Sequence, residues 1–251
     1  MPPSEIRKEA RESLKGKWKK AVYITLAFLA ISMFMGFVQG FFKEGSAIYT
    51  ILEFAFLVIE IPLSFGLLIS FIKLIRSEDV NVFDFLKEGF SRFGKSWGIW
   101  FHTFIRLLLP IICLVLTALL MISLGIVNAL TQSNLTLTLI SVVLFITSII
   151  YVACRSLLYI IAYNISYDNP ELTSKACVIK SAELMKGNRG NYFMLELSFI
   201  GWAILAVFTL GIGMLWLAPY MQIATICFYE RVSNVAVKKS KKTRKTKKIE
   251  E

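Results

Sequence analysis

The sequence predicts an all-α, polytopic membrane protein of six transmembrane helices, with amphipathic helices at the membrane interface. Three observations predict it. Of 251 residues, 56% are hydrophobic, against about 45–50% for an ordinary globular domain. The apolar residues fall in runs that approach or exceed the ~18–20 residues needed to cross ~30 Å of hydrocarbon. The basic residues sit in alternate gaps between those runs, in counts of 7, 1, 5, 0, 5, 0 and 9, with Arg106 the exception inside a run. Lys and Arg near spans stay on the cytoplasmic side, so the alternation places both termini inside. No strand-like alternation of apolar and polar residues is present, and helices then satisfy the backbone in lipid.

Residues 1–20 read as a cytoplasmic amphipathic segment, 21–232 as the membrane domain and 233–251 as a disordered polybasic tail. In the first segment Ile6, Ala10, Leu14 and Trp18 recur every four residues beside a basic row of Arg7, Arg11, Lys15 and Lys19. One face suits the headgroup region and the other suits phosphates. The first two spans are Ala21–Phe42, carrying Gly36-x-x-x-Gly40 as a packing feature, and Ala47–Ile72. The charged N-terminal segment is too long for a secretory signal, and no small-residue cleavage site follows the first span.

A second amphipathic segment starts at Asn81, with Asp84 in a capping position and Phe83, Leu86, Phe90 and Phe93 on one face. The spans Leu107–Val127 and Leu135–Cys154 follow. The third segment opens at Asp168-Asn169-Pro170, carries Leu172, Ala176 and Ile179, and ends at Gly187. It leads into Tyr192–Thr209 and Ile212–Phe228. The segments share Leu14-Lys15-Gly16, Leu86-Lys87-Glu88-Gly89 and Leu184-Met185-Lys186-Gly187. They read as three parallel repeats of one unit, an interfacial helix and a hairpin of two spans, with any symmetry axis along the membrane normal. Convergence on a similar interfacial composition is the alternative. The tail holds eight basic residues in Lys238–Lys248, which predicts attraction to anionic lipid without a fold.

Gly89-Phe-Ser-Arg-Phe-Gly94-Lys95-Ser96 fits the phosphate-loop expression. That loop needs a buried strand before it and a soluble helix after it, and here an amphipathic helix precedes and a span follows. Nucleotide binding is not expected, and the basic balance points to lipid headgroups rather than nucleic acid. Cys113, Cys154, Cys177 and Cys227 show no metal spacing, so neither metal nor cofactor is expected.

Ionisable residues within the apolar runs carry more information, because an unpaired charge at the bilayer centre costs at least ~2.5–3.5 kcal/mol. Glu53 and Glu60 lie seven apart on one helical face; His102, Arg106, Arg155 and Glu196 complete the set. In one reading the arginines snorkel to the headgroups and Glu60 is held inside the bundle. In the other, His102, Arg106 and Arg155 line a pocket for an anionic head, with Glu60 and Glu53 continuing a polar path. A Glu60–Arg106 interaction is the sharpest form of that expectation. Pro62 and Pro219 permit kinks in their spans. No nucleophile, base and orienting group stand together, so catalysis is not expected.

Ser181-Ala-Glu-Leu-Met185-Lys186-Gly187, Leu197-Ser198-Phe199-Ile200-Gly201-Trp202, Thr209-Leu-Gly211-Ile212-Gly213, Leu215-Trp216, Pro219-Tyr220 and Phe228-Tyr229-Glu230 are specific enough to compare. With the looser N-terminal stretch at Leu14, Gly16 and Trp18, they resemble a bacterial membrane-protein family known as domain of unknown function 975. The resemblance implies a polytopic protein of the bacterial plasma membrane and supplies no catalytic residue. The expected function is a non-enzymatic module that binds or moves an amphiphile (lipid, peptide or small hydrophobic compound). An accessory subunit partnering another membrane protein is the alternative, and a lipid-metabolism enzyme the third.

Overall fold

The computed structural model describes residues 2–131 and 135–250, with side chains for 2–129 and 135–234. The chain is all-helical, with no strand among the described residues. Five helical stretches are long and apolar enough to cross a membrane: Trp18–Gln39, Ala47–Ile75, Phe93–Ala129, Leu135–Ser156 and Arg189–Phe208. The protein is therefore of multi-pass membrane type. The sixth expected span, Ile212–Phe228, differs from the others. It lies in a helix from Met214 that buries Ile223 to Tyr229 without interruption, and it carries Gln222 and Thr225. It faces protein more than lipid, which is why its composition tolerates polar residues. The helix from Met214 runs on through the expected tail to Glu250, and the side chains that would carry its charge lie outside the described ones from 235 onward.

The first unit comprises α1 (Pro3–Leu14), α2 (Trp18–Gln39) and α3 (Ala47–Ile75). The second comprises α4 (Asp84–Ser91), α5 (Phe93–Thr131) and α6 (Leu135–Ser156), extended by a short α7 (Ala162–Asp168). The third comprises α8 (Ser174–Met185), α9 (Arg189–Leu197), α10 (Ile200–Phe208) and α11 (Met214–Glu250). The units superpose in sequence without gaps through their first turns. Ala10, Phe85 and Ser181 are buried at one equivalent position, Leu14, Gly89 and Met185 at the next. Ala21, Ser96 and Tyr192 follow, then Ile24, Ile99 and Leu195.

Units one and three also share a turn. Lys15 and Gly16 (φ −58° and +78°) match Lys186 and Gly187 (φ −60° and +81°). In each, the fourth residue's N–H returns to the first residue's carbonyl, Lys17 to Leu14 and Asn188 to Met185. This is a type II turn, whose third residue needs a positive φ and hence glycine. Gly89 is not the third member of that set, contrary to the sequence alignment. It is helical, and its place in the repeat is that of Leu14.

Each interfacial helix packs on the returning arm of the unit before it: α4 on α3, α8 on α7, and α1 on α11, which closes a ring. Most of the core collects at this end of the molecule, while the outer halves of α2, α3, α5 and α6 are largely exposed, as lipid-facing helices are. Three expectations change as a result. Ile6, Ala10 and Leu14 are fully buried in protein, so the apolar face of α1 does not lie on a membrane. On α4 the buried face is Phe85 and Gly89, while Phe83, Phe90 and Phe93 point outward. The third segment starts at Ser174, capped by the Thr173 hydroxyl, and buries Cys177, Val178, Ser181 and Met185.

Gly36 and Gly40 touch no neighbouring helix. The close approach is elsewhere: a Cβ at Gly66 would overlap the Phe85 carbonyl, and one at Gly89 would overlap the Pro62 carbonyl. Pro62 lacks an N–H and leaves the Val58 carbonyl without its helical donor. The Trp97 indole supplies one at 3.2 Å.

Candidate functional site

Where the three units meet, a cleft of about 450 Å³ opens between α3, α5, α7, α9 and α11. Its apolar wall includes Leu57, Ile61, Phe65, Trp100 and Ile160. Its polar wall draws on every unit: Glu60 and Ser64 from α3, Tyr163 and Asn164 from the α6–α7 arm, Tyr192 from α9, and Gln222 and Thr225 from α11. Tyr192 and Thr225 share a hydrogen bond of 3.2 Å, and the Tyr163 hydroxyl donates to the Ser96 carbonyl at 3.3 Å. Two groups are left over. Glu60 makes no hydrogen bond or ion pair with any described residue and is exposed. Asn164 is only 1% exposed, yet its side-chain Nδ2 has no acceptor. A buried amide donor without an acceptor is destabilising by roughly 1–3 kcal/mol. An amphiphile offering an acceptor to Asn164 and a donor to Glu60 would satisfy both, with its apolar part along Trp100 and the aliphatic wall.

A second groove, of about 530 Å³, runs between α1, α10 and α11. Trp18, Trp202, Trp216 and Tyr220 line it, with Arg7 and Arg11 at one end. Arg7 donates to the Ser198 carbonyl at 3.2 Å, at the break between α9 and α10. The Tyr220 hydroxyl donates to the Arg7 carbonyl at 3.1 Å, which ties α11 to α1.

A polar cluster ties the ends of the units together. Arg76 makes paired contacts to Asp168 at 2.8 and 3.2 Å and a third to Glu230 at 3.3 Å. Tyr229 donates to Asp168 at 3.0 Å, and the Tyr167 ring lies under both Arg76 and Arg92. The hydrogen bond to Asp168, with Glu230 adding to it, holds the guanidinium pKa above its already high ordinary value, although burial acts the other way. Lys73 pairs with Glu88 at 2.6 Å, and Arg231 pairs with Glu9 and Glu5 at 2.6 and 3.0 Å. The returning arms α3 and α11 thus each grip a neighbouring interfacial helix.

A family model described as protein of unknown function (DUF975) matches residues 1–236. The chain belongs to this family. No curated protein and no solved structure matches it significantly. The match covers all three units of this DUF975 protein, including both grooves.

Of the ionisable residues read from the sequence, only Glu60 lines the central cleft. Glu53 is exposed two turns away on α3, and Glu196 is half-buried on α9 beside the cleft-lining Tyr192. His102 and Arg106 are half-buried on α5, and Arg155 is half-buried on α6 with its Nε unpartnered. None of the three basic residues lines the cleft, so the pocket for an anionic head does not form there. No ion pair within 4 Å joins Glu60 and Arg106 among the described residues. The phosphate-loop match also dissolves: the Lys95 ammonium donates to the carbonyls of Pro170 and Leu172. Sequence reasoning missed Asn164, Gln222 and Thr225 because it attended to charge. Gln222 and Thr225 stand three apart inside an apolar run, a polar row at helical spacing.

Proposed function

We propose that this protein is a non-enzymatic module of the bacterial plasma membrane, both termini cytoplasmic, that binds or moves an amphiphile whose polar head sits in the central cleft. The observation that carries the proposal is Asn164, a buried donor without an acceptor in a cleft to which all three units contribute. A group that costs stability and contributes no internal bond is what a ligand site retains. The cleft has Glu60 as its acidic residue and no Lys, Arg or His. That balance favours a head that donates hydrogen bonds or is cationic, with the Trp100 face available to a cation. The orientation is supported by the distribution of Lys and Arg.

Native mass spectrometry of the gently solubilised protein, beside Asn164→Leu, tests the reading. Wild type should carry a small-molecule adduct that the variant loses, while the variant's thermal stability stays level or rises because a bare donor has been removed. Adducts retained equally by both proteins, or none in either, would refute it. A second reading, an accessory subunit of another membrane complex, is favoured by one observation. The apolar stretches of α5 and α6 are only 6% buried inside the chain, and this hairpin leaves more helix surface open to a partner than the others do.

A further inference from the structure

We infer that the groove beside α1 and α10 binds one anionic phospholipid, its head at Arg11 and Lys15 and an acyl chain along Trp202, Leu205 and Trp216. Beside the groove lies a shallower cup of about 360 Å³ lined by Lys8, Arg11, Glu12, Lys15 and Gly16, and the two share Arg11 and Trp18. A mainly apolar groove therefore adjoins a mainly basic cup, which suits the polarity of a lipid with a negative head.

The charge at the mouth is not cancelled from within. Glu5 and Glu9 are taken by Arg231, on another side of α1. Glu12 stands 4.0 Å from Lys8, which leaves Arg11 and Lys15 exposed without an ion pair among the described residues. Arg7 adds a second sign of an absent acceptor: its NH1 reaches Ser198, but its Nε is buried with no partner. A phosphate or ester oxygen at the mouth is the acceptor such a donor fits.

The groove is also not a by-product of the repeat. The positions equivalent to Arg7 and Arg11 are Val82 and Leu86 in the second unit, and Val178 and Ala182 in the third. Arg7 and Arg11 therefore have no basic counterpart in the other units, and of the mouth residues only Lys15 has one, Lys186 in the third. In length, the wall from Ser198 to Thr209 spans about 16 Å at ~1.5 Å per residue, close to one leaflet of a ~30 Å core. Tryptophan and tyrosine at a water–lipid boundary favour the same placement. The assignment to the cytoplasmic leaflet rests on the orientation proposed above; the chemistry of the groove does not.

The test uses the full-length chain, delipidated in detergent and offered dioleoyl phosphatidylglycerol, dioleoyl phosphatidylcholine or inorganic phosphate, with retention read by native mass spectrometry. Wild type should retain the anionic lipid over the zwitterionic one, and millimolar inorganic phosphate should not displace it. Arg11→Gln with Lys15→Gln, both at exposed positions, should lower retention roughly tenfold or more, from the attraction of two basic residues near an anionic head. Leu205→Trp should lower retention with the basic mouth intact, its fold checked by thermal unfolding. Should that variant unfold, the double variant alone decides. Equal retention of the two lipids, or unchanged retention in the double variant, would overturn the inference. Displacement by inorganic phosphate would also overturn it, since the site would then hold a free anion.

Discussion

At Gly66 the fold depends on the absence of one carbon atom. Its helix meets α4 so closely that any Cβ would enter the Phe85 carbonyl, and Gly89 answers it against Pro62. Backbone cannot yield as a side-chain tip can, so Gly66→Ala and Gly89→Ala should each destabilise by about 1–3 kcal/mol or more. Gly36→Ala meets nothing within 4 Å and should be neutral or slightly stabilising, because alanine suits a helix better. Thermal unfolding in one detergent ranks all three. A Gly36 variant as damaging as Gly66 would mean that α2 packs tightly in a way the structure does not show. The G-x-x-x-G spacing pointed to the wrong pair, since spacing on one helix says nothing of where a partner crosses. At the cleft, Glu60 was legible as a charge in an apolar run. Asn164 was not: nothing in Ala162–Asp168 announces that its amide is buried beside the cleft without an acceptor.

Among elements, the returning arms are tied to one another as well as to the interfacial helices. Arg76 at the end of α3 faces Asp168 from α7 and Glu230 from α11, with each pair about one-third exposed. Arg76→Gln leaves two carboxylates near each other without their shared cation. The expected loss is about 1–3 kcal/mol, between the value of an exposed pair and that of a broken buried one. Adding Asp168→Asn should restore part of it, a coupling that a double-mutant cycle in thermal unfolding measures. Strict additivity would show that Arg76 acts alone. Helix existence was legible from apolar runs and caps, and Asp84 does accept from the Asn81 N–H at 2.8 Å. Which face each short helix buries was less so. Phe83, Phe90 and Phe93 form the more apolar stripe of α4, yet they turn outward to where lipid can take them. Apolarity marks an inner face only when water is the alternative, and in a membrane it marks two kinds of surface.

Across the whole molecule, three units of one plan close into a ring, with a cleft of one polar and one apolar wall at their junction. The repeat was legible in outline, and its register became clear only from burial, which aligns Leu14 with Gly89 and Met185. Cysteines introduced near Ser46 and Ile212, on a cysteine-free background, should be labelled from outside intact cells, and ones at Asp79 and Glu171 should not. External labelling of Asp79 would reverse the orientation. The central claim is that the cleft prefers a cationic or hydrogen-bond-donating head at Glu60, and Trp100 on its wall gives a direct reading. Brominated alkylamine and brominated alkyl sulfate of equal chain length, titrated into the protein in nanodiscs, should differ in the fluorescence they quench. The comparison is made against Trp100→Phe to isolate that indole. The account predicts saturable quenching of Trp100 by the amine, weakened in Glu60→Gln, and little by the sulfate. Equal quenching by both compounds, or amine quenching unchanged in Glu60→Gln, would contradict it.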